Sequence, residues 1–535
     1  MIAIFAAALV VTQNPSAPIT ARFHIDVAGG ALRGTEEYTL TPIAPEGWQV
    51  VSRSDLVRGG ATVEVVQSAM LPPNFVPGHY RLTVNAGGSQ AIEAWREGDT
   101  VRMRAAERTA AVPADDRTLL LDNLLASHFQ LLLLRWAGET EAAKKGEWRF
   151  VVPQALTSVT GKLAVTGEED GTLGGAPVRA RHYTLEAGGN VVEIWATASD
   201  HRLLRVTVPL QRVELVREGF TPGAAAAPDV GAAPCDERAV EVSGGGATLP
   251  GTYCAPRNAR GPVPVVVLVH GSGPNDRDET LGPNKPFRDI AWGLAERGIA
   301  TLRYDKRTLV QRGTLNAALI TVNEEVIDDA VAALRVARTL PGADSARVFY
   351  LGHSLGATLG PIVAQAAPRA ARGLILLAPG VRPLDTIVLE QVAYRGRVSG
   401  APQATVDQQT AALAATFARV RSGEAPDGEM VMGASARYWR DLFARPVATA
   451  LRDTPLPVLV LQGAKDYQVP RADYDRVTAA LRAKPSPLRR AQLFPDLNHL
   501  FMRVEGESTG AEYGRPGRVD PQVMTAIAEW VRAVR

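Results

Sequence analysis

The chain has 535 residues, and its 58 Lys and Arg nearly balance its 56 Asp and Glu, giving a formal net charge of +2. Such a balance provides no strongly basic face, so the charge does not favour nucleic acid or an anionic membrane as a partner. Hydrophobic residues make up 46% of the chain, which is ordinary for a globular protein, and the length predicts two or three domains.

The N-terminus begins with an apolar run, IAIFAAALVV at 2–11, followed by the polar, proline-containing segment TQNPSA at 12–17. This order is typical of a secretory signal peptide, although no Lys or Arg precedes the apolar run. A short strand is the alternative. We predict that 1–17 is a signal peptide and that the protein is exported to the periplasm or the extracellular space. Beyond it, no apolar run is long enough to span a bilayer.

Residues 18–220 form a region of short segments in which apolar and polar side chains alternate, separated by turns containing Gly and Asp. This alternation predicts an antiparallel sheet. The clearest segments are 21–27, 79–84, 192–196 and 203–208. A Leu-rich stretch from Leu119 to Trp136 predicts one helix. The combination resembles the half-barrels of bacterial lipoprotein carriers. Since no residue here demands a chemical role, we predict an accessory domain.

Two cysteines follow a linker. Residues 221–234 are rich in Ala, Pro and Gly and nearly uncharged, which predicts a linker between domains.

Cys235 and Cys254 then flank two strand-like segments separated by GGG at 244–246, a pattern typical of a β-hairpin. Folding at the glycines would place the cysteines within disulfide reach, which fits export; two free thiols are the alternative.

From residue 235 to 535, strand-like runs alternate with helical patterns, which predicts a mostly parallel sheet flanked by helices. Val263–Val269 is a β-branched run, as expected of a strand buried on both faces. An insertion of polar helices at about 381–454 is predicted to form a lid. Its large apolar residues either line a pocket or pack the lid helices together. These residues are Leu389, Tyr394, Tyr438, Trp439 and Phe443.

The most specific motif is the pentapeptide GHSLG at 352–356, which stands between a strand-like run and a helix-like segment. A G-x-S-x-G sequence in that context is a nucleophile elbow. Its glycines are required because side chains two residues before and after the serine would collide in so tight a turn. We therefore predict that Ser354 is a nucleophile, placed at a helix N-terminus that favours developing negative charge.

A serine nucleophile needs a base, and the base needs an orienting acid; on this fold the chain order is serine, acid, histidine. His499 is the single histidine after Ser354, which makes it the predicted base. Asp466 lies in the segment Ala464–Pro470, which follows the strand-like run Pro457–Gly463, and is the predicted acid. Asp496 is the fallback, but it lies too close in sequence to His499 to orient it easily.

Stabilisation of an oxyanion requires two backbone donors. One is predicted to be the N–H of Leu355, the residue after the nucleophile. The other is predicted to be the N–H of Ser272, in the loop HGSGP that follows the 263–269 strand. Gly271 and Gly273 allow the backbone to approach a substrate there. His270 is expected to hold this loop through side-chain hydrogen bonds.

A set of motifs resembles a bacterial esterase subgroup of the α/β-hydrolase superfamily, including serine-aminopeptidase-like hydrolases and acyl-hydrolase relatives. The motifs are HGSGP at 270–274, DRDE at 276–279, GPNKPFRD at 282–289, LRYDKR at 302–307 and GHSLG at 352–356. The resemblance extends from about residue 239 to the C-terminus. It implies an α/β-hydrolase fold and hydrolysis of a small-molecule carboxylic ester by Ser354, Asp466 and His499, with no metal and no organic cofactor.

Three questions stay open at this point. The charged loop Asp276–Glu279 is expected to pair with Arg303 and Lys306, with lining of the pocket as the alternative. A serine peptidase could use the same triad, although an aminopeptidase needs a carboxylate for the substrate ammonium and the sequence identifies none. A non-catalytic envelope ligand-binding protein is the third class, and the complete triad and elbow argue against it.

Overall fold

The computed structural model describes residues 17–27, 32–45, 47–58, 61–188, 190–211, 213–223, 231–311, 314–398 and 403–534. The chain forms two compact units, one lying mainly before Ala227 and the other mainly after Pro228. The predicted signal peptide lies outside the described residues except for Ala17, and so does the 224–230 part of the predicted linker.

The N-terminal unit is built on one large sheet. Its strands are β1 (Ile19–Val27), β2 (Leu32–Ile43), β3 (Gly47–Arg58), β4 (Ala61–Leu71), β5 (His79–Asn85), β6 (Ser89–Glu97), β7 (Thr100–Ala105), β8 (Arg108–Pro113), β9 (Thr118–Leu120), β10 (Trp148–Val152), β11 (Thr157–Leu173), β12 (Ala176–Ala187), β13 (Asn190–Thr197), β14 (Leu203–Val208), β15 (Val213–Arg217) and β16 (Phe220–Pro222). The strand order is β8-β7-β6-β5-β4-β3-β2-β1-β15-β14-β13-β12-β11-β10-β9, with β16 beside β11. Neighbours are antiparallel except β9 and β10, which confirms the predicted β-rich class of this domain.

The sheet is accompanied by helix α1 (Ala126–Ala137) and by the single turn α2 (Glu141–Lys144). Helix α1 contributes Leu132 and Leu133 to the same apolar core as Phe23 and Tyr80 of the sheet, because nearly all of its faces are buried. The sequence predicted that the helix begins at Leu119, which is wrong. Residues 118–120 instead pair in parallel with β10, and a strand pairing between distant segments overrides the local helical pattern.

The C-terminal unit contains a mostly parallel sheet, as predicted. Its strands are β17 (Cys235–Gly244), β18 (Ala247–Pro256), β19 (Val263–Val269), β20 (Ala300–Tyr304), β21 (Ala343–His353), β22 (Leu374–Leu377), β25 (Val458–Gly463) and β26 (Arg489–Phe494). The order is β17-β18-β20-β19-β21-β22-β25-β26. The six strands from β20 to β26 are parallel, and the hairpin β17–β18 adds antiparallel strands at one edge.

Helices cover both faces of this sheet. They are α3 (Pro286–Ala295), α4 (Arg307–Val310), α5 (Asp328–Ala337), α6 (Leu355–Ala366), α11 (Arg471–Arg482) and α12 (Pro521–Ala533). Strand β19 shows the arrangement: Val265 and Val267 belong to the core that includes α5 and α6, while Val266 and Leu268 belong to the core of α3 and α12. The prediction of a strand buried on both faces is therefore confirmed. Truncating Leu268 to Ala would cost about 2–5 kcal/mol.

Four helices and a small hairpin lie in the described part of the segment between β22 and β25. They are α7 (Leu384–Val398), α8 (Gln403–Ser422), α9 (Ala436–Phe443), α10 (Val447–Asp453) and the strands β23 (Met430–Val431) and β24 (Ala434–Ser435). Trp439 lies 4.9 Å from Phe417 and 5.8 Å from Phe443 between ring centroids, so these aromatic residues pack the lid helices together. Tyr394 differs, because it stacks on Tyr467. Among the helices of the described residues, none has the length and apolarity needed to cross a bilayer.

The hairpin β17–β18 contains the disulfide that the sequence suggested. Gly245 and Gly246 form a two-residue turn with φ of +56° and +81°, a conformation for which glycine is favoured. Cys235 and Cys254 are bonded, with Cα atoms 5.6 Å apart and both side chains buried. They are not directly opposite, since Cys254 faces Glu237 across the ladder.

We expect the native chain to contain no free thiol, because its two cysteines are bonded to one another. Labelling with a maleimide in denaturant should modify no cysteine before reduction and two after it. A parallel sample reduced before unfolding provides the positive control. Labelling of two cysteines in the unreduced sample would contradict the disulfide.

Candidate active site

Ser354 occupies a sharp turn between β21 and α6. Its φ of +51° and ψ of −115° are strained for a residue with a side chain, as expected of a nucleophile elbow. A Cβ added to Gly352 would lie 2.4 Å from the carbonyl carbon of Gly356, and one added to Gly356 would lie 2.4 Å from the carbonyl oxygen of Val269. The collisions expected at the two glycines are therefore present, and the turn presents the partly exposed Ser354 at the start of the helix.

His499 and Asp466 are brought together after the ends of β26 and β25. The Nδ1 atom of His499 lies 2.8 Å from Oδ2 of Asp466, and both residues are buried. Asp466 is held in turn by the N–H groups of Gln468 and Val469 on Oδ1, at 2.8 and 3.0 Å, and by the Gln462 amide on Oδ2. Since Nδ1 is engaged, Nε2 is the ring nitrogen left for proton transfer.

Asp496, the fallback acid, does not orient His499. Its side chain is 59% exposed and lies 3.7 Å from Arg503. Ser354 and His499 share no side-chain hydrogen bond within the part of the chain described; catalytic hydrogen bonds are often long before substrate binds. His353, the residue before Ser354, contacts His499. Its Nε2 lies 3.0 Å from the His499 carbonyl oxygen, and the centroids of the two rings are 4.7 Å apart.

The loop after β19 lies against the elbow, as the oxyanion prediction requires. A Cβ added to Gly271 would come within 3.2 Å of the Ser354 Cβ. Gly271 donates its N–H to Glu279 Oε1 at 2.6 Å. The backbone N–H groups of Ser272 and Leu355 find no acceptor among the described residues. For Leu355 the reason is its position as first residue of α6, where a helix leaves its N–H groups unpaired.

Glu279 and His353 form a buried pair beside Ser354 that the sequence did not reveal. Glu279 Oε2 lies 2.9 Å from His353 Nδ1. The other ring nitrogen, Nε2, lies 3.0 Å from the His499 carbonyl oxygen, so an acceptor lies beside each nitrogen, an arrangement that favours the protonated ring. Burial alone would lower the pKa of His353, but Glu279 and the carbonyl of His499 outweigh it and raise that pKa. Burial alone would raise the pKa of Glu279, and His353 instead lowers it to about 2.

The other charged residues of the Asp276–Glu279 loop form ion pairs, as expected, although some of the partners differ from those predicted. Asp278 forms ion pairs with Arg303 and, at 3.2 Å, with Lys285. Arg277 binds Asp305 at 2.7 Å. The expected pairing of the loop with Lys306 is wrong, because the chain turns after β20 and directs this buried ammonium to Glu325 and to the Gly271 carbonyl.

His270 is held by packing. Its ring lies 5.1 Å from Phe287 and 5.4 Å from Tyr304 between centroids, and neither ring nitrogen has a partner of hydrogen-bond geometry among the described residues. Burial lowers the pKa of His270 to about 4, so the ring is neutral near pH 7. The side-chain hydrogen bonds that the sequence predicted do not reach that geometry, and the ring packs instead against Phe287 and Tyr304.

One group of possible metal ligands stands out in the described part of the chain. The ligand atoms of Cys235, Glu237 and Cys254 lie within 4.8 Å of one another. Metals bind the thiolate form of cysteine, and both sulfurs here are already bonded to each other. This group is therefore a structural disulfide with a neighbouring carboxylate.

The chain is similar to several known proteins. Residues 261–506 match the family described as serine aminopeptidase, S33. Esterase EstD of Thermotoga maritima is 39% identical over 296 residues, which are 55% of this chain and 67% of that protein. The solved structure of Est1E from Butyrivibrio proteoclasticus has 16% identity and a TM-score of 0.37, covering 55% of this chain and 98% of that one. An esterase of Pyrococcus furiosus has 15% identity and a TM-score of 0.36, covering 58% and 95%.

The fold and the relatives together define the class. The chain belongs to the α/β-hydrolase family that includes this curated esterase, and it is a hydrolase of the esterase class. The segment that matches the family model, 261–506, lies in the C-terminal unit, where the elbow, the histidine and the aspartate also lie.

Proposed function

We propose that the protein hydrolyses small-molecule carboxylic esters through an acyl-enzyme on Ser354, with His499 as the base and Asp466 as the orienting acid. The observation that carries this proposal is the 2.8 Å contact between His499 Nδ1 and Asp466 Oδ2 beside a strained serine elbow. A buried carboxylate that already accepts three other hydrogen bonds keeps its position while the ring gains and loses a proton.

Acylation is the first half of the reaction. Ser354 Oγ attacks the ester carbonyl carbon while His499 Nε2 takes the hydroxyl proton. The carbonyl oxygen becomes an anion, and the N–H groups of Leu355 and Ser272 are the donors that we propose for it. Each such donor lowers the barrier by about 3 kcal/mol. His499 then gives its proton to the departing alkoxide, and the alcohol leaves.

Deacylation repeats the same steps with water. His499 Nε2 takes a proton from water as its oxygen attacks the acyl carbon, and the carboxylic acid leaves when the proton returns to Ser354 Oγ. The Asp466 carboxylate stabilises the imidazolium that exists transiently in both halves. Every group in this scheme belongs to the C-terminal unit.

The substrate bond is the first thing to test, because the matching family description names an aminopeptidase. We expect the purified protein to hydrolyse p-nitrophenyl esters of graded acyl length, and to leave aminoacyl p-nitroanilides uncleaved. Amides have a poorer leaving group, and a peptidase for free N-termini also needs a carboxylate that grips the ammonium. Turnover of the anilides at a rate comparable with the esters would favour a peptidase.

We also propose that the protein is exported. Two features support this: a disulfide, which persists in oxidising compartments, and the apolar run at 2–11, which lies outside the described residues. Cell fractionation should place the protein outside the cytoplasm, and N-terminal sequencing should find the first residues removed. An intact Met1 on cytoplasmic protein would contradict the proposal.

A further inference from the structure

The peptide that joins Gly271 to Ser272 is held from its carbonyl side. The Gly271 oxygen accepts a hydrogen bond from Lys306 Nζ at 2.7 Å and a longer one from the Asn275 amide at 3.2 Å. In a planar trans peptide the carbonyl and the following N–H point in opposite directions. Whatever fixes the Gly271 carbonyl therefore also fixes the direction of the Ser272 N–H.

Lys306 is unusual because it is a cation with only 2% of its surface exposed. A buried charge is tolerated when it is paired and hydrogen-bonded, and Glu325 provides the pair, with Oε1 at 2.5 Å from Nζ. Glu325 lies in a π-helical turn, Asn323–Ile327, which directly precedes α5. Such turns occur often at functional sites, and this one brings the carboxylate to the ammonium.

A cation on the carbonyl oxygen also changes the donor at the other end of the peptide. Hydrogen bonds in series polarise one another, so the N–H of a peptide whose oxygen is bound by an ammonium becomes a stronger donor. Gly271 is clamped on its other side as well, since its own N–H is taken by Glu279. The free Ser272 N–H is thus the one donor of this pair of peptides that is left for a substrate.

We propose that Lys306, held by Glu325, is a positioning residue that orients and polarises the Ser272 N–H as an oxyanion donor. This inference rests on the proposed function, because it assigns a role within that reaction. Lys306 itself does not touch the substrate. Its effect passes through the Gly271–Ser272 peptide and is felt when negative charge develops on the carbonyl oxygen.

The test is Lys306→Met, which keeps the length of the side chain and removes the ammonium. We expect kcat for p-nitrophenyl acetate to fall about 10- to 100-fold with KM changed little, because an oxyanion donor acts in the transition state. The affinity for a trifluoromethyl ketone, whose adduct carries an oxyanion, should fall by the same factor as kcat/KM. Unchanged kcat in a folded variant would overturn the proposal.

A matched control separates the effect of the position of Lys306 from the effect of losing one positive charge near the site. Lys285 pairs with Asp278 of the same charged loop at 3.2 Å, and its side chain is partly exposed. The variant Lys285→Met therefore removes one ammonium from the neighbourhood without touching Gly271, and it should keep the parent kcat. An equal loss of kcat in both variants would mean that the effect is one of general charge, and would also overturn the proposal.

Loss of stability is the structural alternative, because Lys306→Met leaves Glu325 buried without its partner. The double variant Lys306→Met with Glu325→Gln removes both charges and should recover much of the lost Tm. Positioning predicts that kcat stays low in this double variant, and a purely structural role predicts that kcat returns with Tm. Ser354→Ala, measured alongside, separates the two proposals: its activity would refute the proposed function, whereas its inactivity with a fully active Lys306→Met would refute this inference alone.

Discussion

Replacing Ser354 with Ala is expected to lower kcat/KM for p-nitrophenyl esters by at least about a thousandfold, the scale on which loss of a nucleophile acts. In the proposed mechanism the hydroxyl oxygen of Ser354 forms the acyl-enzyme, and alanine has no such oxygen. The fold should survive, because Ala adds no atom to the strained backbone at φ +51° that Ser does not already place there.

The measurement is turnover of a short p-nitrophenyl ester, with circular dichroism and Tm to establish that the variant is folded. Ser422→Ala at the exposed end of α8 serves as the matched control and should behave as the parent. A folded Ser354→Ala protein that keeps more than about a thousandth of the parent activity would exclude Ser354 as the nucleophile.

The parts of this molecule that could be predicted from sequence are those encoded by adjacent residues. The elbow needs glycines at 352 and 356, because a Cβ added at either position would collide with the backbone. Strand β19 is a run of apolar residues because it is buried on both faces. The hairpin around Gly245 and Gly246 is local as well, so the position of its disulfide could be anticipated.

The contacts around the site that could not be predicted join distant segments. Glu279 pairs with His353, and Lys306 donates a hydrogen bond to the Gly271 carbonyl, because the sheet order places β19 between β20 and β21. Neither pairing has a spacing that a linear pattern could show. Charge alone suggested that Lys306 would pair with the nearby acidic loop, whereas its burial demands a partner that is itself buried, and Glu325 meets that requirement.

Contacts between distant segments also explain two features outside the site, one in the predicted lid and one in the N-terminal unit. Tyr394 was one of several large apolar residues in the predicted lid, with nothing to distinguish it from Trp439. In the structure Tyr394 stacks on Tyr467, the residue after Asp466, with ring centroids 5.0 Å apart. Helix α1 likewise starts late because residues 118–120 find a strand partner, β10, that a local window does not contain. The local sequence pattern predicts well whether an element is a helix or a strand. Where the element begins and ends depends on the segments that it contacts in the fold.

Replacing Asp466 with Asn is expected to lower kcat by about ten-thousandfold, because it fixes the wrong tautomer of His499. The surroundings favour one orientation of the new amide. The N–H groups of Gln468 and Val469 both donate to Oδ1, whereas only the Gln462 amide donates to Oδ2 besides the His499 contact, so we expect the amide oxygen on the Oδ1 side. The amide NH₂ then faces His499 Nδ1 and donates to it, which leaves the ring proton on Nε2.

A ring protonated on Nε2 cannot accept the proton of Ser354, so the loss should appear in kcat while the protein stays folded. Asp496→Asn is the matched control, since that carboxylate is exposed and lies away from His499 near Arg503. Its kcat should equal that of the parent. Both variants are compared by turnover of one p-nitrophenyl ester and by Tm. A folded Asp466→Asn protein with less than about a tenfold loss would mean that Asp466 does not set the tautomer, and that His499 is oriented by the backbone contact to His353 alone.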